Sequence, residues 1–423
     1  MKLLAITHRL PCPPHKGEKI RALNFLKFLA ARHEVHLVSL VDDDNDLRYV
    51  DQLHPHIRSL TVQRVHPRLR KAFALSAVAS DESVSSRYFH VLALQRRVDA
   101  LIDREGIEGV FCSSSPTAEY VFRSRHATRL RDVPKVMDLI DVDSVKWRHY
   151  AEQSHAGSAW LYRREARYLA ALEGKIGQQF DRVLVVSEAE RTCCESVARN
   201  RVTAVANGVD LEYFSPITQT AAAQQPPTLV FTGVMDYRPN VDGIGWFVRS
   251  ILPNIWAEIP DVRLLIVGNR PNKTVRRLAS DPRICVTGFV PDVREYVTRG
   301  VSIAPLRIAR GIQNKVLEAM AMGRPIVVTP QAFEGIDAQP GRDLVVASDE
   351  REFAARTIEC LQDPVHAERL GRAARAQAEQ AYSWSNNLAF LDELLPAEGA
   401  APAPASVRRA WQPHHADGIP RAF

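Results

Sequence analysis

The sequence has few of the features that mark metal-binding, disulfide-linked or membrane-spanning proteins. Its six cysteines form no CxxC pair and show no metal-ligand spacing. They predict neither a metal site nor a disulfide framework, and they favour a reducing cytosol. No stretch reaches the roughly 18 apolar residues of a membrane span, and MKLLAITHRLPCPP has too few apolar residues for a signal-peptide core. We therefore expect a cytoplasmic protein with peripheral membrane contact at most.

Signatures of nucleic-acid and dinucleotide binding are also missing. The net charge is +6, and the basic residues lie in short runs such as 64–71 and 123–131 without interleaved aromatics. Nucleic acid is therefore not an expected partner, although the excess charge favours anionic ligands or lipid surfaces. The loop HRLPCPPHKGEKIR contains Gly17 but not the GxGxxG fingerprint.

The composition is that of a folded protein with more than one core. Hydrophobic residues make up 46% and charged residues 25% of 423 residues, which predicts at least two globular domains. Short apolar runs alternate with longer helical patterns, which is typical of parallel sheets wound with helices. In the first half we predict strands at LLAIT, EVHLVSL, GVFCSS, KVMDLI and RVLVVS, and a helix over 18–32.

The alternation pauses after residue 206 and then begins again. Strands are predicted at TLVFTGV, VRLLIVG, RICVTG, VSIAP, PIVVTP and DLVVAS, with helices over 241–259 and 312–322. Ligands of such open sheets bind at the carboxyl ends of the strands. The predicted organisation is an α/β domain over 1–206, a linker over 207–227, a second α/β domain over 228–381, a helix over 382–396 that packs back toward the first domain, and a disordered tail over 397–423.

The stretch ARGIQNKVLEAMAMGRPIVVTP, 309–330, predicts an anion site. Gly311 lets the backbone approach a ligand, and the free N–H groups at the following helix start attract negative charge. Lys315 and Glu318 share one helix face, so a phosphate near Lys315 would place an attached sugar hydroxyl near Glu318. The alternative is a surface ion pair that contributes roughly a few tenths of a kcal/mol. Because glycine, two cations and one acid coincide at a strand-to-helix turn, we favour a nucleotide site.

Several segments together resemble a known enzyme family along nearly the whole chain. They are NGVDLEYFSP, FTGVMDYRPNVDGIGWF, LLIVG, VTGFVPDVREYV and KVLEAMAMGRPIVV. In this order they resemble the retaining GT-B glycosyltransferases of family 4, the group 1 type that includes sucrose synthases and mannosyltransferases. PPHKGEKIRALNFLKFLA and DLIDVDSVKW are similar more narrowly to sugar transferases associated with the exosortase and PEP-CTERM exopolysaccharide system.

The resemblance implies two Rossmann-like doubly wound domains that face each other across a cleft. It implies that the second domain binds a nucleotide sugar, a UDP- or GDP-sugar, and that the first binds a saccharide or lipid-linked saccharide acceptor. No cofactor or metal is implied. A retaining outcome is implied, in which the leaving phosphate helps to deprotonate the acceptor and the protein supplies no nucleophile.

The donor site departs from the family pattern in two places. Relatives carry two glutamates separated by seven residues; the second matches Glu318, but the first falls on Arg310. The usual Arg and Lys pair after the glycine matching Gly233 is also absent. We therefore predict that Arg310 and Lys315 bind the diphosphate. Arg238, and the helix start at Gly311 and Ile312, complete the predicted donor site.

On the acceptor side, the resemblance places Gly17 and Lys19 opposite the donor phosphates. A Pro-rich turn before a solvated basic helix start is an equally good interpretation. Family members carry a histidine near DLIDVDS, whereas this chain has Asp141 and Asp143. Asp141 is the candidate for orienting donor or acceptor hydroxyls; a helix N-cap or a solvated turn is the ordinary alternative.

The predicted reaction is sugar transfer to a hydroxyl acceptor, in exopolysaccharide or cell-surface polysaccharide biosynthesis. One alternative is a nucleotide-sugar epimerase with the same two-domain fold. The other is a non-catalytic protein that binds polysaccharide or an anionic surface. The segment RVHPRLRKAFALSAVA, 64–79, is either a membrane-surface helix or a helix packed on the first domain.

Overall fold

Two open parallel sheets, one in each half of the chain, form the framework of the protein. The structure is a computed structural model that describes residues 1–14, 16–194, 201–217, 226–309 and 312–396. The predicted tail over 397–423, Arg310, Gly311 and residues 218–225 of the predicted linker lie outside these residues. The α/β class with parallel sheets is confirmed.

The first sheet contains seven parallel strands in the order β3-β2-β1-β4-β5-β6-β7. They are β1 Lys2–Thr7, β2 Glu34–Val41, β3 Ser59–Arg64, β4 Gly109–Ser113, β5 Lys135–Ile140, β6 Arg182–Val185 and β7 Val202–Ala204. The helices of this half are α1 Gly17–Ala30, α2 Pro67–Leu75, α3 Val84–Phe89, α4 Leu92–Glu105, α5 Glu119–Phe122, α6 Asp143–Glu152, α7 Ala156–Gln179 and α8 Glu188–Cys193.

The second sheet contains six parallel strands in the order β10-β9-β8-β11-β12-β13. They are β8 Thr228–Thr232, β9 Arg263–Val267, β10 Ile284–Gly288, β11 Val301–Ala304, β12 Ile326–Val328 and β13 Val345–Val346. The helices are α9 Arg238–Trp246, α10 Leu252–Glu258, α11 Lys273–Leu278, α12 Arg294–Val297, α13 Asn314–Ala321, α14 Pro330–Phe333, α15 Glu350–Gln362, α16 Pro364–Ala381, α17 Trp384–Leu388 and α18 Leu391–Leu394.

The central strands are buried along most of their length because helices cover both faces of each sheet. Seven of the eight residues of β2 are buried, as are all four of β11. A strand buried on both faces shows a continuous apolar run instead of alternation. This is why the runs predicted as strands in the sequence correspond to sheet positions.

The end of the described chain packs on the first half. Trp384, Leu388 and Leu391 belong to the same apolar cluster as Leu3 and Phe25. The single helix predicted over 382–396 is wrong in one detail, since two short helices, α17 and α18, cover this segment. The predicted domain boundaries themselves stay predictions.

Two chain segments cross between the halves side by side. The Val209 N–H donates to the Tyr382 carbonyl at 2.8 Å, and Val209 and Ser383 form an isolated parallel bridge. The crossing is tight at Gly208, where an added Cβ would lie 2.7 Å from the Tyr382 oxygen. The segments at 208–209 and 382–383 therefore run side by side where the chain passes between the two halves.

Each sheet has one point at which its winding reverses. In the first sheet β1 lies between β2 and β4, and in the second β8 lies between β9 and β11. Helices leave opposite faces on the two sides of such a point, so a crevice opens at the carboxyl ends of the strands. The positions of the candidate site residues are described below relative to these two crevices. In the part of the chain that the structure describes, no helix is both long enough and apolar enough to cross a membrane.

Candidate functional site

Lys315 lies at the crevice of the second sheet. It is in the first turn of α13, which follows β11, and it faces the segment after β8. The Lys315 Nζ donates to the Asn240 Oδ1 at 2.5 Å and lies 4.5 Å from the centre of the Phe231 ring. The Asn240 Nδ2 in turn donates to the Val234 carbonyl at 2.9 Å. The ammonium is thus positioned by the loop after β8.

Two glycines keep backbone close to this ammonium. Gly233, directly after β8, has φ 153°, and an added Cβ would lie 2.6 Å from the Asn240 Nδ2 and 3.3 Å from the Lys315 Nζ. Gly268, directly after β9, has φ 149°, and its Cβ would lie 1.7 Å from the Gly233 oxygen. A side chain at either position would displace the backbone that forms the floor of the crevice.

Glu318 lies one helical turn beyond Lys315, and its carboxylate is available. Among the residues that the structure describes, no group forms a hydrogen bond or an ion pair with it. The Lys315 ammonium is bound to Asn240 instead. Both side chains are only partly exposed. The Lys315 ammonium, a donor, and the Glu318 carboxylate, an acceptor, therefore lie side by side on one face of α13 with few protein partners.

Burial displaces the pKa values of these two groups toward each other. Desolvation lowers the pKa of Lys315 to about 7, and the Glu318 charge offsets part of that shift. Desolvation raises the pKa of Glu318 to about 7, and the Lys315 charge offsets part of it. Both groups therefore change charge near neutral pH, and an anion beside Lys315 would favour its protonated form.

Of the other predicted donor residues, Arg238 and Ile312 are among those that the structure describes. Arg238 begins α9, two residues before Asn240, and its side chain is exposed. Ile312 packs partly buried against the core of the second half. Arg310 and Gly311 lie outside the described residues. Their placement in the site stays a prediction from the sequence, as do the roles of Arg238 and Ile312.

Strained backbone marks the crevice of the first sheet. Ser114 follows β4 with φ 79°, and Ile140 ends β5 with φ 72°. Non-glycine residues seldom adopt such values, least of all β-branched ones, and such strain concentrates at functional sites. The Ser114 N–H donates to the Asp138 carbonyl at 2.7 Å, which couples the two strand ends.

The two aspartates after β5 differ in their surroundings. Asp141, the predicted orienting residue, is exposed at the strand end. Asp143 begins α6 and accepts a hydrogen bond from the Ser115 hydroxyl at 3.0 Å. Burial raises the pKa of Asp143, and Lys146 partly opposes this shift. Asp141 is thus accessible to a ligand, whereas Asp143 is held by the loop after β4.

Sequence reasoning missed a histidine in this crevice. His8 directly follows β1 and is 9% exposed, and its ring packs edge-on against Phe89 at 5.4 Å. Its Nδ1 has no hydrogen-bond partner among the described residues. Burial and the neighbouring Arg9 lower its pKa to about 4, so the ring is neutral at physiological pH. The signal in the sequence was a polar residue immediately after a buried strand.

Two basic side chains of α1 serve as internal partners. Lys19, predicted to lie on the acceptor side, forms a 2.6 Å ion pair with Asp46, and both side chains are almost fully buried. Arg21 is fully buried and binds Asp138 through two nitrogens at 2.8 to 3.0 Å. Because Lys19 is almost fully buried and paired with Asp46, its ammonium is hardly accessible to an acceptor. Gly17 begins α1 with open space around its Cβ position.

A known protein family matches the part of the chain that forms the second sheet. Residues 226–363 match the family model described as "Glycosyl transferases group 1". These residues are a glycosyltransferase domain. The match covers all strands of the second sheet and both Lys315 and Glu318.

A curated relative aligns with about half of the chain. The chain is 27% identical over 248 residues to a GDP-mannose-dependent monoacylated alpha-(1-6)-phosphatidylinositol monomannoside mannosyltransferase of Corynebacterium glutamicum. The alignment covers 53% of this chain and 64% of that protein, so the chain spans somewhat less than two thirds of the relative's length.

Solved structures share the two-sheet architecture. Anabaena HepE in complex with UDP superposes with a TM-score of 0.63 at 15% identity, over 93% of this chain and 99% of that one. Sucrose-phosphate synthase from Thermosynechococcus elongatus superposes with a TM-score of 0.64 at 17% identity, over 93% and 98%. The predicted GT-B fold is confirmed.

Proposed function

We propose that this chain transfers a sugar from a nucleotide-diphosphate sugar to a hydroxyl acceptor, with retention of configuration at the anomeric carbon. The observation that carries the proposal is the Lys315 and Glu318 pair at the crevice of a glycosyltransferase domain. The pair combines one cation suited to a phosphate with one carboxylate that suits a diol and has no hydrogen-bond partner among the described residues.

The donor would lie along α13 with its diphosphate at the helix start. Lys315 and the free N–H groups of the first turn would bind phosphate oxygens. The Glu318 carboxylate, one turn further along, would accept two hydrogen bonds from the ribose hydroxyls. Arg310 is proposed as a second cation on sequence grounds, since two phosphates need more positive charge than one lysine supplies.

Departure of the nucleoside diphosphate would be the step that this arrangement accelerates. As the anomeric C–O bond breaks, negative charge grows on the leaving phosphate oxygen. A preformed cation and helix N–H groups stabilise that charge more strongly in the transition state than in the ground state. The leaving oxygen would take the acceptor proton, so no protein nucleophile is needed.

The acceptor would enter from the crevice of the first sheet. Asp141 is proposed to orient an acceptor or donor hydroxyl, because it is exposed beside the strained end of β5. The neutral His8 ring lies at the end of β1 in the same sheet. Movement of the two halves about the paired crossings near Gly208 would close the cleft and exclude water, which would otherwise hydrolyse the donor.

The related proteins support two nucleotides as donors. HepE was solved with UDP and with UDP-glucose, and the Corynebacterium relative is named as GDP-mannose-dependent. We therefore propose a UDP- or GDP-sugar and no required cofactor. The acceptor is proposed to be a saccharide or a lipid-linked saccharide of a cell-surface polysaccharide.

The reaction class is tested by separating donor from acceptor. The protein is incubated with UDP- and GDP-sugars alone and then with a panel of saccharide acceptors, and free diphosphate and sugar products are measured. Acceptor-dependent diphosphate release supports transfer, and the anomeric configuration of the product tests retention. An epimerised sugar formed without acceptor would instead identify an epimerase, and no reaction with any pair would favour a binding protein.

A surface on α2 favours a lipid-linked acceptor. Leu69, Phe73 and Leu75 are 70%, 55% and 55% exposed, and Arg68 and Lys71 lie among them. Ala74 faces inward, and Arg70 binds the carbonyls of Tyr88 and His90 around α3. Because Phe89 of α3 contacts His8, this surface adjoins the first crevice. We propose that it rests on anionic lipid, with apolar side chains in the interface and basic ones at the headgroups.

We expect the Leu69→Ser/Phe73→Ser variant to bind vesicles with 30% anionic lipid at least about tenfold more weakly than wild type, because each apolar side chain contributes roughly 1.5 kcal/mol or more when buried. Co-sedimentation measures the effect. Val365, 76% exposed in the second half, supplies the control variant Val365→Ser. Equal binding of all three proteins, or binding unaffected by high salt, would contradict the lipid surface.

The pKa values near 7 predict a pH dependence of donor affinity. Lys315 is mostly protonated below its pKa of about 7 and loses its charge above it. Glu318 is protonated below its pKa of about 7 and then accepts fewer hydrogen bonds from the ribose. Affinity for a nucleotide sugar, whose diphosphate diester keeps its charge, should therefore be highest near pH 7. It should fall by up to about tenfold per pH unit above pH 7, the limit for uptake of one proton. Calorimetric titration from pH 6 to 9 measures this; a flat profile would exclude Lys315 as the titrating cation.

A further inference from the structure

A cluster of three possible metal ligands lies far from both crevices, at the amino end of the first sheet. Glu34 is the first residue of β2, His36 lies two residues further on, and Glu105 is the last residue of α4. One ligand atom from each lies within 4.8 Å of those of the other two. The crevice residues sit at the opposite, carboxyl end of the same strands.

The imidazole of His36 is the central observation. Its side chain is 1% exposed, and its Nε2 has no hydrogen-bond partner among the described residues. The nearest charged atom to this nitrogen is the Glu34 Oε1 at 3.4 Å. At 3.4 Å this contact is longer than an ordinary N–H···O hydrogen bond, so the buried nitrogen has exchanged its water for a weak replacement. A cation in front of the nitrogen would be a stronger partner.

The other nitrogen of the ring is already arranged as in a metal-bound histidine. The His36 Nδ1 lies 2.8 Å from the hydroxyl oxygen of Ser59, the first residue of β3. Ligating histidines use one nitrogen for the metal and hold the other in a hydrogen bond that fixes the ring. With Nδ1 as the donor to Ser59, Nε2 carries a lone pair that points toward the two carboxylates.

The distances suit a small tetrahedral ion. With bonds near 2.1 Å, a tetrahedral zinc ion separates its ligand atoms by about 3.4 Å. The distance from the His36 Nε2 to the Glu34 Oε1 is 3.4 Å already. The Glu105 ligand atom lies within 4.8 Å of the other two, so it has to move closer to complete tetrahedral spacing.

Two arginines contact the same carboxylates without blocking them. The Arg104 Nε donates to the Glu105 Oε1 at 2.6 Å, and the Arg58 Nε lies 3.9 Å from the Glu34 Oε1. Both arginine side chains are more than 65% exposed. Exposed pairs of this kind contribute little free energy, so either arginine can swing into solvent when a cation binds.

We propose that Glu34, His36 and Glu105 bind one divalent ion of the zinc class, with water completing the coordination. One imidazole with two carboxylates suits borderline ions such as Zn²⁺ and Co²⁺ better than Ca²⁺ or Mg²⁺, which prefer oxygen alone. The ion joins the end of α4 to the start of β2. Cysteine spacing could not reveal this site, because its ligands are carboxylates and a histidine that only the fold brings together.

The test uses the full chain without an affinity tag and without nucleotide. His414 and His415 are adjacent in the sequence and could bind metal by themselves, so both are replaced by Gln in the parent protein. Equilibrium dialysis against Zn²⁺ should give one tightly bound ion per parent chain. The Glu34→Gln and Glu105→Gln variants, which alter partly exposed carboxylates, should each bind at least about tenfold more weakly.

A matched control comes from the second half of the chain. His366 and Glu359 also form a histidine and carboxylate pair, at 3.8 Å, and no third ligand joins them in the described part of the chain. The Glu359→Gln variant should bind Zn²⁺ like the parent. Absorption bands of bound Co²⁺ give a second readout, which should be present in the parent and lost in His36→Asn. Equal Zn²⁺ affinity of the parent and both glutamate variants, or no binding by the folded parent, would overturn the proposal.

Discussion

Replacing Lys315 with methionine is expected to lower turnover of the nucleotide sugar by about 10²- to 10³-fold, the usual effect of removing one preorganised charge stabiliser from a transition state. Methionine keeps most of the length of the side chain and its contact with Phe231, so the loss is that of the charge. Because the charge on the leaving phosphate grows during bond cleavage, kcat should fall more than the donor KM rises.

Steady-state kinetics with the preferred donor and acceptor measure this effect. Lys273→Met is the matched control, since Lys273 is an exposed lysine at the start of α11 in the same half. The Asn240→Ala variant should show a smaller loss in the same direction, because Asn240 only positions the ammonium. A Lys315→Met enzyme with kcat and KM within twofold of the control would remove Lys315 from the reaction.

Replacing Arg21 with methionine is expected to lower the free energy of unfolding of the first half by about 3–5 kcal/mol, because removing one partner leaves a buried charge uncompensated. Arg21 and Asp138 are both 0% exposed. Arg21 also donates to the Val205 carbonyl at 2.7 Å and to the Asn207 side chain at 2.9 Å. One guanidinium thus connects α1, β5 and the segment that leads to the crossing.

Chemical denaturation followed by circular dichroism measures the loss. Arg9→Met is the control, because Arg9 forms a partly exposed pair with Asp42 and should cost about 1 kcal/mol or less. In the double variant Arg21→Met/Asp138→Leu the uncompensated charge is gone, so it should be more stable than Arg21→Met alone. An Arg21→Met protein as stable as the Arg9→Met control would contradict a structural role for this pair.

The fold was predictable wherever a strand is buried on both faces. The runs LLAIT, EVHLVSL and VSIAP correspond to β1, β2 and β11 because continuous apolar runs need cover on both sides. Sequence reasoning missed β3 and β7. The edge strand β3, SLTVQR, is only partly buried, and β7 has three residues, so neither gives a strong apolar signal.

The helix predicted over 241–259 is interrupted in the structure. Residues Phe247–Ile251 are π-helical, between α9 and α10. Pro253 lies in the first turn of α10 and has no N–H to donate to a continuous helical ladder. The apolar periodicity alone continued through this point and therefore did not predict the break.

The site was predictable where its residues are close in sequence and not where they come together by folding. Lys315 and Glu318 share a face because they are three residues apart on one helix. Asn240, which binds the Lys315 ammonium, is 75 residues away, and nothing in the local sequence around it predicts the contact. Only the adjacency of β8 and β11 in the sheet brings their following segments together.

Contacts that form only on folding also explain why Lys19 was predicted to lie on the acceptor side. A basic residue at a helix start after a proline-rich loop is usually solvated, and the adjacent Glu18 does not face Lys19 on a helix. Asp46, which binds it in the buried pair, is 27 residues away, beyond β2. Asp138, the partner of Arg21, is 117 residues away. Whether a basic side chain binds a ligand or forms a buried ion pair depends on such distant partners.

The central claim is that the crevice at Lys315 and Glu318 binds a nucleotide sugar. The most direct measurement is the thermal unfolding midpoint of the wild-type protein with UDP-, GDP-, ADP- and TDP-sugars, repeated with Glu318→Ala. Ligand that binds only the folded state raises this midpoint. We predict a clear increase with at least one UDP- or GDP-sugar in the wild type and its loss in Glu318→Ala. No increase with any nucleotide sugar in a correctly folded wild-type protein, or an equal increase in the variant, would contradict the proposed site.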